Sequence, residues 1–435
     1  MTITDKEACQ MGQSDGVRQA VRAVGDCRVC GGREWQDVVS FGPVPLANAF
    51  LPRTGDHRDE ARYPLGVVSC RICRLMSITH VVDPVLLYRT YSYVTSDSET
   101  ITEHMRWVAR TCRERFGLDA GDLVVEFGSN TGDQLSAMRV PGLRVLGVDP
   151  ARNLAAVARE RGVDTVADFF TAGLAAQIRA RYGTADLILG RHVFAHIDDL
   201  AEPLTGVRTL LAPAGGLVIE VPYALDLLDK VAFDTIYHEH LSYFLVSTLA
   251  TLFERHGLRL FDVVRVGVHA GSILVFAGHA DGPWRPGPAV SRLIELEASS
   301  GAFGDAAYVA FAERTGFVRA ELRDLVRGLA AAGASLAGYG ASAKGTTMLN
   351  VCGIGRGELS YCTDTTALKQ DKVLPGTHIP VEAPDYARRF PPDYFLLLAW
   401  NYAEEVLRKE AAYLRRGGRF ILPLPKPSVV AALPR

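Results

Sequence analysis

The sequence predicts the α/β class, organised as a small N-terminal zinc-binding domain followed by two Rossmann-like domains. Three observations carry that expectation. Two Cys-x-x-Cys pairs, "CRVCGG" and "CRICRLM", stand in the N-terminal part. In "DLVVEFGSNTGDQL" a buried-type strand runs into a glycine-punctuated turn and a helix, and strands then alternate with helical stretches. A second turn of the same kind, "LAGYGASAKG", opens another alternating stretch towards the C-terminus.

At 435 residues the chain exceeds one ordinary core. The reading divides it into a loose tail (1–22), a zinc-binding domain (23–95), a cofactor-binding domain (96–285) and a C-terminal α/β domain (286–435). An apolar share of 48% and a charged share of 22% describe an ordinary globular chain. Against 49 Asp+Glu stand 47 Lys+Arg, a formal net charge of -2, so no basic surplus points to nucleic acid or an anionic membrane. No apolar run reaches the ~20 residues of a spanning helix, and "MTITDKEACQMGQSDG" lacks the apolar stretch of a signal peptide. The expectation is a cytoplasmic protein, a monomer or weak homodimer, whose partner is a small molecule.

Cys27 and Cys30, with Cys70 and Cys73, supply four thiolates of the kind that hold one structural zinc tetrahedrally. Disulfides are disfavoured in a reducing compartment, and a redox site needs one pair in a thioredoxin-like setting. The gap of roughly forty residues between the pairs is longer than a zinc ribbon uses. With every coordination position filled by protein, such a zinc has no open position for catalysis. Cys9, Cys112, Cys352 and Cys362 read as ordinary thiols. The following "YRTYSYVTSDSET", with Tyr91 and Tyr93, reads either as a packed linker or as a loop reaching over a neighbouring site.

In the central turn, Gly128 and Gly132 permit a tight backbone and close ligand approach. Glu126 precedes the first glycine. About twenty residues on, Asp149 ends a second strand, where an acid can hold a ribose hydroxyl pair. The pattern E-x-G-x-x-x-G is not a dinucleotide fingerprint, and its acid would repel a pyrophosphate. It suits S-adenosylmethionine, a cationic sulfonium with an amino-acid end and a ribose. Asp168, after the next strand, is positioned either for the adenine amino group or to cap a helix. "GRHVFAHIDDL", with His192 and His196, follows the fourth strand, where such a sheet opens onto its ligand.

In "LAGYGASAKG" a glycine turn at a helix start with Lys344 nearby suits phosphate, with a purely structural turn as the alternative. That turn shows no clear acidic partner for a ribose. "GGRFILPLPKPSVV" reads as an edge strand and tail. Between the two cradles, "FDTIYHEHLSYF" sets His238, Glu239 and His240 side by side, flanked by Tyr237 and Tyr243. A zinc helix needs its histidines four apart, and residues two apart on a helix do not share a face. An acid/base site or a satisfied polar loop remain, and spacing alone does not choose between the histidines.

In content and order, the knuckles, "PLANAF", "EFGSN", "VFAHI", "YHEHLSY", "HAGS", "GYGASAKG" and "LPGTHIP" resemble the sugar C-methyltransferases that act on nucleotide-linked 4-keto-6-deoxyhexoses in antibiotic biosynthesis. The resemblance covers nearly the whole chain after the tail. It implies S-adenosylmethionine in the central domain, held by Glu126, Gly128, Asn130, Gly132, Asp149, Asp168 and His192. It implies His240 as the general base with Tyr237 and Glu239 beside it, and a dTDP-linked keto sugar as substrate. Tyr91, Tyr93, His196, His269 and Lys344 are the expected sugar contacts; His269 is also a secondary candidate for the base, and for it, His192 and His196 a structural role is the alternative. The C-terminal domain then helps hold the nucleotide sugar. Against the family pattern, Thr131 replaces the usual acid of the glycine loop, with Asp133 coming two residues later, and His192 replaces a common asparagine. The competing readings are an O- or N-methyltransferase, a nicotinamide-dependent oxidoreductase or isomerase using "GYGASAKG", and a non-catalytic zinc-containing interaction protein.

Overall fold

The structure, a computed structural model, describes residues 20–88 and 98–432. Tyr91, Tyr93 and Cys9 lie outside the described residues. In "LVVEF" every residue of the strand Leu123–Phe127 is buried, as a central strand covered on both faces requires. It sits in the middle of a seven-stranded sheet whose strands, numbered in chain order, run 3-2-1-4-5-7-6. Strands 1 to 5 pair in parallel, and the last strand, Ser272–His279, runs antiparallel to both neighbours. Order reverses between Leu123–Phe127 and Ala185–Arg191, so ligand is expected beyond the carboxyl ends of these two strands.

The C-terminal sheet has six strands in the order 3-2-1-4-5-6, again doubly wound. Its switch point lies between Leu336–Tyr339 and Tyr394–Leu397. "GGRFIL" departs from the expectation of an edge. Arg419–Leu422 pairs on both sides, and the edge is Ser428–Val430, which returns antiparallel. Leu396 and Phe420 are fully buried here, which an edge strand would not achieve.

In the N-terminal part, Trp35–Val44 pairs antiparallel with Tyr63–Cys70, and Trp35 lies opposite Cys70. That excursion accounts for the long gap between the cysteine pairs: the chain leaves the first knuckle along one strand and returns to the second along its partner. The fourth strand of this sheet is Ser242–Tyr243, from "YHEHLSY", paired with Met76–Ile78. The central segment is thus woven into the zinc module, which periodicity does not reveal. The helix Asp305–Ala331, about 40 Å long at 1.5 Å per residue, packs against Trp35–Val44, Ala224–Asp229 and Ala343–Cys352, tying all three parts together. Among the described residues no helix is long and apolar enough to cross a membrane.

Candidate active site

The four knuckle sulfurs lie within 4.8 Å of one another. Cys27 Sγ is 3.5 Å from Cys73 Sγ, and Cys30 Sγ is 3.6 Å from Cys70 Sγ. A disulfide would need ~2.05 Å, whereas Zn–S bonds of ~2.3 Å in a tetrahedron set sulfurs about 3.8 Å apart. All four thiols are free, and the set fits a closed zinc site.

The carboxyl ends of both sheets open into one cavity of ≈ 1620 Å³. On the central side the backbone of the glycine loop turns sharply at Gly128 (φ 69°) and Gly132 (φ 77°). A Cβ on Gly128 would sit 2.6 Å from Val193 Cβ, so the loop can pass only as glycine. Asp149 bridges two loops, accepting from the Asn130 amide at 2.8 Å and the Ala151 amide at 2.9 Å. Within the glycine loop, the Thr131 hydroxyl donates to Asp133, which pairs with Arg161 at 3.0 Å.

Glu126 is buried with Oε2 unpartnered. Burial pushes its carboxyl up to about 8, while Arg191 opposes the rise. An orphaned buried acid beside a glycine cradle is a site for a cation, and the ammonium group of S-adenosylmethionine fits it. Below it, Arg191 donates to Glu220 at 2.6 Å and to Gln134 at 2.7 Å, and His104 Nε2 lies 2.6 Å from Glu220. Burial would raise the Glu220 carboxyl, but Arg191 and the histidines outweigh it and hold the group well below the usual carboxylate range. Arg191 lies in the quoted "GRHVFAHIDDL", but Glu220 and His104 carry no local signal. Asp168, by contrast, is exposed, accepts from the Phe169 amide at 2.8 Å and does not line the cavity; Phe169 and Phe170 do.

One wall of the cavity carries four histidines. His240 is bonded through Nδ1 to the Thr235 carbonyl at 2.9 Å, and its Nε2 lies 2.7 Å from the Tyr237 hydroxyl. A carbonyl only accepts, so Nδ1 carries the proton and Nε2 keeps a lone pair on the cavity side. Burial, then His196 and Lys344, hold the His240 imidazole well below its ordinary value, so it is neutral at pH 7. The His196 ring lies 5.0 Å from that of His240, and burial depresses it to about 4. His192 (φ 51°) and His269 (φ 54°) both adopt the left-handed region and meet edge to face at 4.3 Å. Histidine is among the non-glycine residues that tolerate that backbone.

His238 turns the other way. It is buried against the strand Tyr63–Cys70, with Nε2 3.3 Å from the Tyr63 carbonyl, and it does not line the cavity. Of these two histidines, His240 lines the cavity and His238 does not. Glu239 does reach the cavity, and Asn48 of "PLANAF" donates to it at 2.6 Å. Asn48 was not among the expected site residues, although its motif was. From the C-terminal side, Lys344 Nζ donates to the His269 carbonyl at 3.0 Å and lies 5.8 Å from the Trp400 ring centroid. It lines the cavity but is already committed to a backbone oxygen. The absence of an acid beside "GYGASAKG" is corrected: Asp364, at the end of the neighbouring strand, accepts from the Ala341 amide at 2.8 Å, as Asp149 does in the central sheet.

A glycine cradle at the switch point, a buried acid suited to an ammonium group and a neighbouring wall of neutral imidazoles fit a methyl-transferring enzyme. Models of three protein families match along the chain: a domain described as zinc-binding over residues 27–88, a methyltransferase domain over 101–263 and a C-methyltransferase C-terminal domain over 267–425. The chain belongs to the C-methyltransferase family: it is 51% identical over 416 residues to C-methyltransferase NovU of Streptomyces niveus, covering 96% of this chain and 99% of that one. Its methyl donor is S-adenosylmethionine. Among solved structures, N-methyltransferase NodS of Bradyrhizobium japonicum in complex with S-adenosyl-l-homocysteine aligns over 43% of this chain and 90% of its own, with TM-score 0.32 and 16% identity. Magnesium protoporphyrin IX methyltransferase of Synechocystis with bound SAM aligns over 41% and 78%, with TM-score 0.32 and 13% identity.

Proposed function

We propose that this enzyme methylates a carbon next to the ketone of a dTDP-linked 4-keto-(di)deoxyhexose, in the making of a branched deoxysugar in the cytoplasm. The observation that carries the reading is the tautomer of His240: Nδ1–H donates to the Thr235 carbonyl, so the unprotonated Nε2 faces the cavity side, where it accepts from the Tyr237 hydroxyl until that hydroxyl turns to the substrate. A carbon nucleophile requires removal of a C–H proton, and a neighbouring ketone makes that proton acidic. His240 Nε2 takes the proton, and the C–H electron pair moves into an enolate. The bound donor supplies an electrophilic methyl on a positive sulfur, which leaves neutral. A depressed imidazole is a weak base, so the negative charge growing on the ketone oxygen needs a donor. The Tyr237 hydroxyl, 2.7 Å from Nε2, can turn to that oxygen. Glu239, oriented by Asn48, suits a sugar hydroxyl. In this reading Glu126, Gly128, Asn130, Gly132 and Asp149 hold the donor, and residues 286–435 help hold the nucleotide. A base of this kind contributes ~10²–10⁴ in rate.

The test is incubation with S-adenosylmethionine and a panel of dTDP-4-keto-6-deoxyhexoses, read by mass spectrometry and NMR. The expected product gains one methyl on a carbon adjacent to the ketone. A methyl bonded to oxygen or nitrogen, or turnover only of acceptors lacking a ketone, overturns the reading.

A further inference from the structure

Arg28 lies inside the first knuckle, between Cys27 and Cys30, and its side chain is 4% exposed. It does not line the cavity. Its Nε donates to Asp198 Oδ1 at 2.9 Å, and its Nη1 donates to Ser77 Oγ at 2.5 Å and to the Leu241 carbonyl at 3.3 Å. Asp198 stands two residues after His196, and Leu241 directly follows His240. One guanidinium therefore joins the loop bearing His196 to the loop bearing His240. The two loops also meet directly: the Leu241 amide donates to the Ala195 carbonyl at 2.9 Å, and the His196 and His240 rings lie 5.0 Å apart.

Stability alone is a poor reason for this arrangement. Nη2 of Arg28 is buried with no hydrogen-bond partner. Burying a guanidinium is costly, and an apolar side chain of similar volume is often as good or better for stability. A rigid planar fork, however, fixes three acceptors relative to one another, which neither an apolar chain nor lysine can do. The knuckle turn fixes where that fork begins: the Gly31 amide donates to the Cys27 carbonyl and the Cys27 amide to the Gly32 carbonyl, each at 2.8 Å.

We infer that Arg28 is a positioning residue through which the zinc knuckle sets the relative placement of His196 and His240, so that the metal module braces the acid/base wall as well as its own fold. The inference rests on the assignment of these histidines to the chemistry. Its test is therefore built on a signal that needs no sugar.

The variants are Arg28→Met, Asp198→Asn, the double variant and Arg28→Lys, all in the full-length zinc-loaded protein. With histidine-selective isotope labelling, the NMR signals of the His196 and His240 imidazoles should move in Arg28→Met. Those of the remote His57 and His378, the zinc-to-protein ratio and the affinity for S-adenosylhomocysteine should stay as in wild type. With whichever nucleotide-linked ketone the wild type accepts, kcat should fall ~10-fold or more, because misplacement of a catalytic group by 1 Å can cost 10²-fold. The double variant should be no worse than the poorer single one, and Arg28→Lys should recover only part of the loss. Unmoved His196 and His240 signals with zinc retained overturn the inference, as do losses that simply track loss of zinc. Should Arg28→Met not fold, Asp198→Asn, outside the knuckle, carries the same test: its His196 and His240 signals must move. Failure of every sugar as substrate would count against the proposed function and leave the imidazole signals to decide on Arg28.

Discussion

Replacing Glu126 by glutamine removes one negative charge from the donor cradle while keeping the side chain's shape. In wild type, burial lifts this carboxyl from its ordinary 4.5 to about 8. The folded protein then holds a proton that the unfolded chain gives up. A group raised in this way contributes stability that is fully present below about pH 4.5 and is lost as pH rises through about 8. At 1.36 kcal/mol per tenfold change in proton affinity, the full loss is of order 5 kcal/mol. Between pH 5.5 and pH 8 the loss is about 3 kcal/mol. Glu126→Gln does not titrate. Its melting temperature should therefore overtake that of wild type as pH rises, the gap widening by roughly 5 °C across this range.

The same group makes the opposite demand on the cofactor. A cationic ligand needs the ionised carboxylate, whose population with an apparent value near 8 climbs from about one in a hundred at pH 6 to one in two at pH 8. Affinity for S-adenosylhomocysteine should rise ~50-fold over that interval in wild type, with nearly one proton released per ligand bound at pH 7. Glu126→Gln should bind more weakly at pH 8 and show little of this pH dependence. Scanning calorimetry and titration calorimetry at matched pH measure both arms. Parallel stability curves for wild type and variant, together with an affinity flat from pH 6 to pH 8, would refute the reasoning and move the ammonium site away from Glu126.

Cys27→Ser should lose the metal and most folded protein, since structural zinc in small peptides is worth ~10–16 kcal/mol; elemental analysis showing no zinc in chelator-free wild-type protein would contradict the four-thiolate site. His240→Gln should leave S-adenosylhomocysteine affinity near wild type, cut turnover by ~10²-fold or more, and abolish exchange of the substrate's α-hydrogen with deuterated solvent. His238→Gln should keep that exchange and lose stability instead, because His238 faces the Tyr63 carbonyl; the reverse outcome exchanges their roles. Asp149→Asn keeps the shape that receives the Asn130 and Ala151 amides but weakens these charge-assisted bonds, so donor affinity should fall by ~1.5–3 kcal/mol; titration calorimetry giving unchanged affinity would place the ribose elsewhere.

How much of this was legible in the sequence follows from how far apart the interacting residues are. Each knuckle and each strand–glycine–helix turn is encoded within a dozen residues, and the structure has these local elements at the expected positions. Contacts made across the chain left no local trace. Asn48 meets Glu239 across 191 positions, and Arg28 meets Leu241 across 213. Neither pair has a spacing to detect, although both partners stand in quotable motifs. His240 differs from His238 in meeting a carbonyl at Thr235, whose direction no pattern specifies. Asp364 escaped notice because its strand, Cys362–Thr363, is only two residues long and gives no periodicity. Asp168 shows the converse: its position after a strand suggested the adenine, but the side chain turns outward and phenylalanines line the cavity there.

The segment that the proposed mechanism assigns to acid/base chemistry belongs by sequence to the central part of the chain, yet all three parts hold it. On the N-terminal side, Ser242–Tyr243 completes the zinc module's sheet and Arg28 grips the Leu241 carbonyl. On the C-terminal side, the Trp400 indole donates to Asp234 at 2.6 Å, and Lys344 holds the His269 carbonyl. Asp234 immediately precedes Thr235, whose carbonyl fixes the tautomer of His240. A proton-abstracting nitrogen must meet one C–H bond while the carbon faces a methyl group held by a different loop, and misalignment costs rate steeply. Bracing the segment from both flanks meets that demand without placing catalytic groups on either flanking module. It also means that damage to the zinc site or to the Trp400 turn should reach the chemistry through Leu241 and Asp234, although neither lies among the catalytic groups.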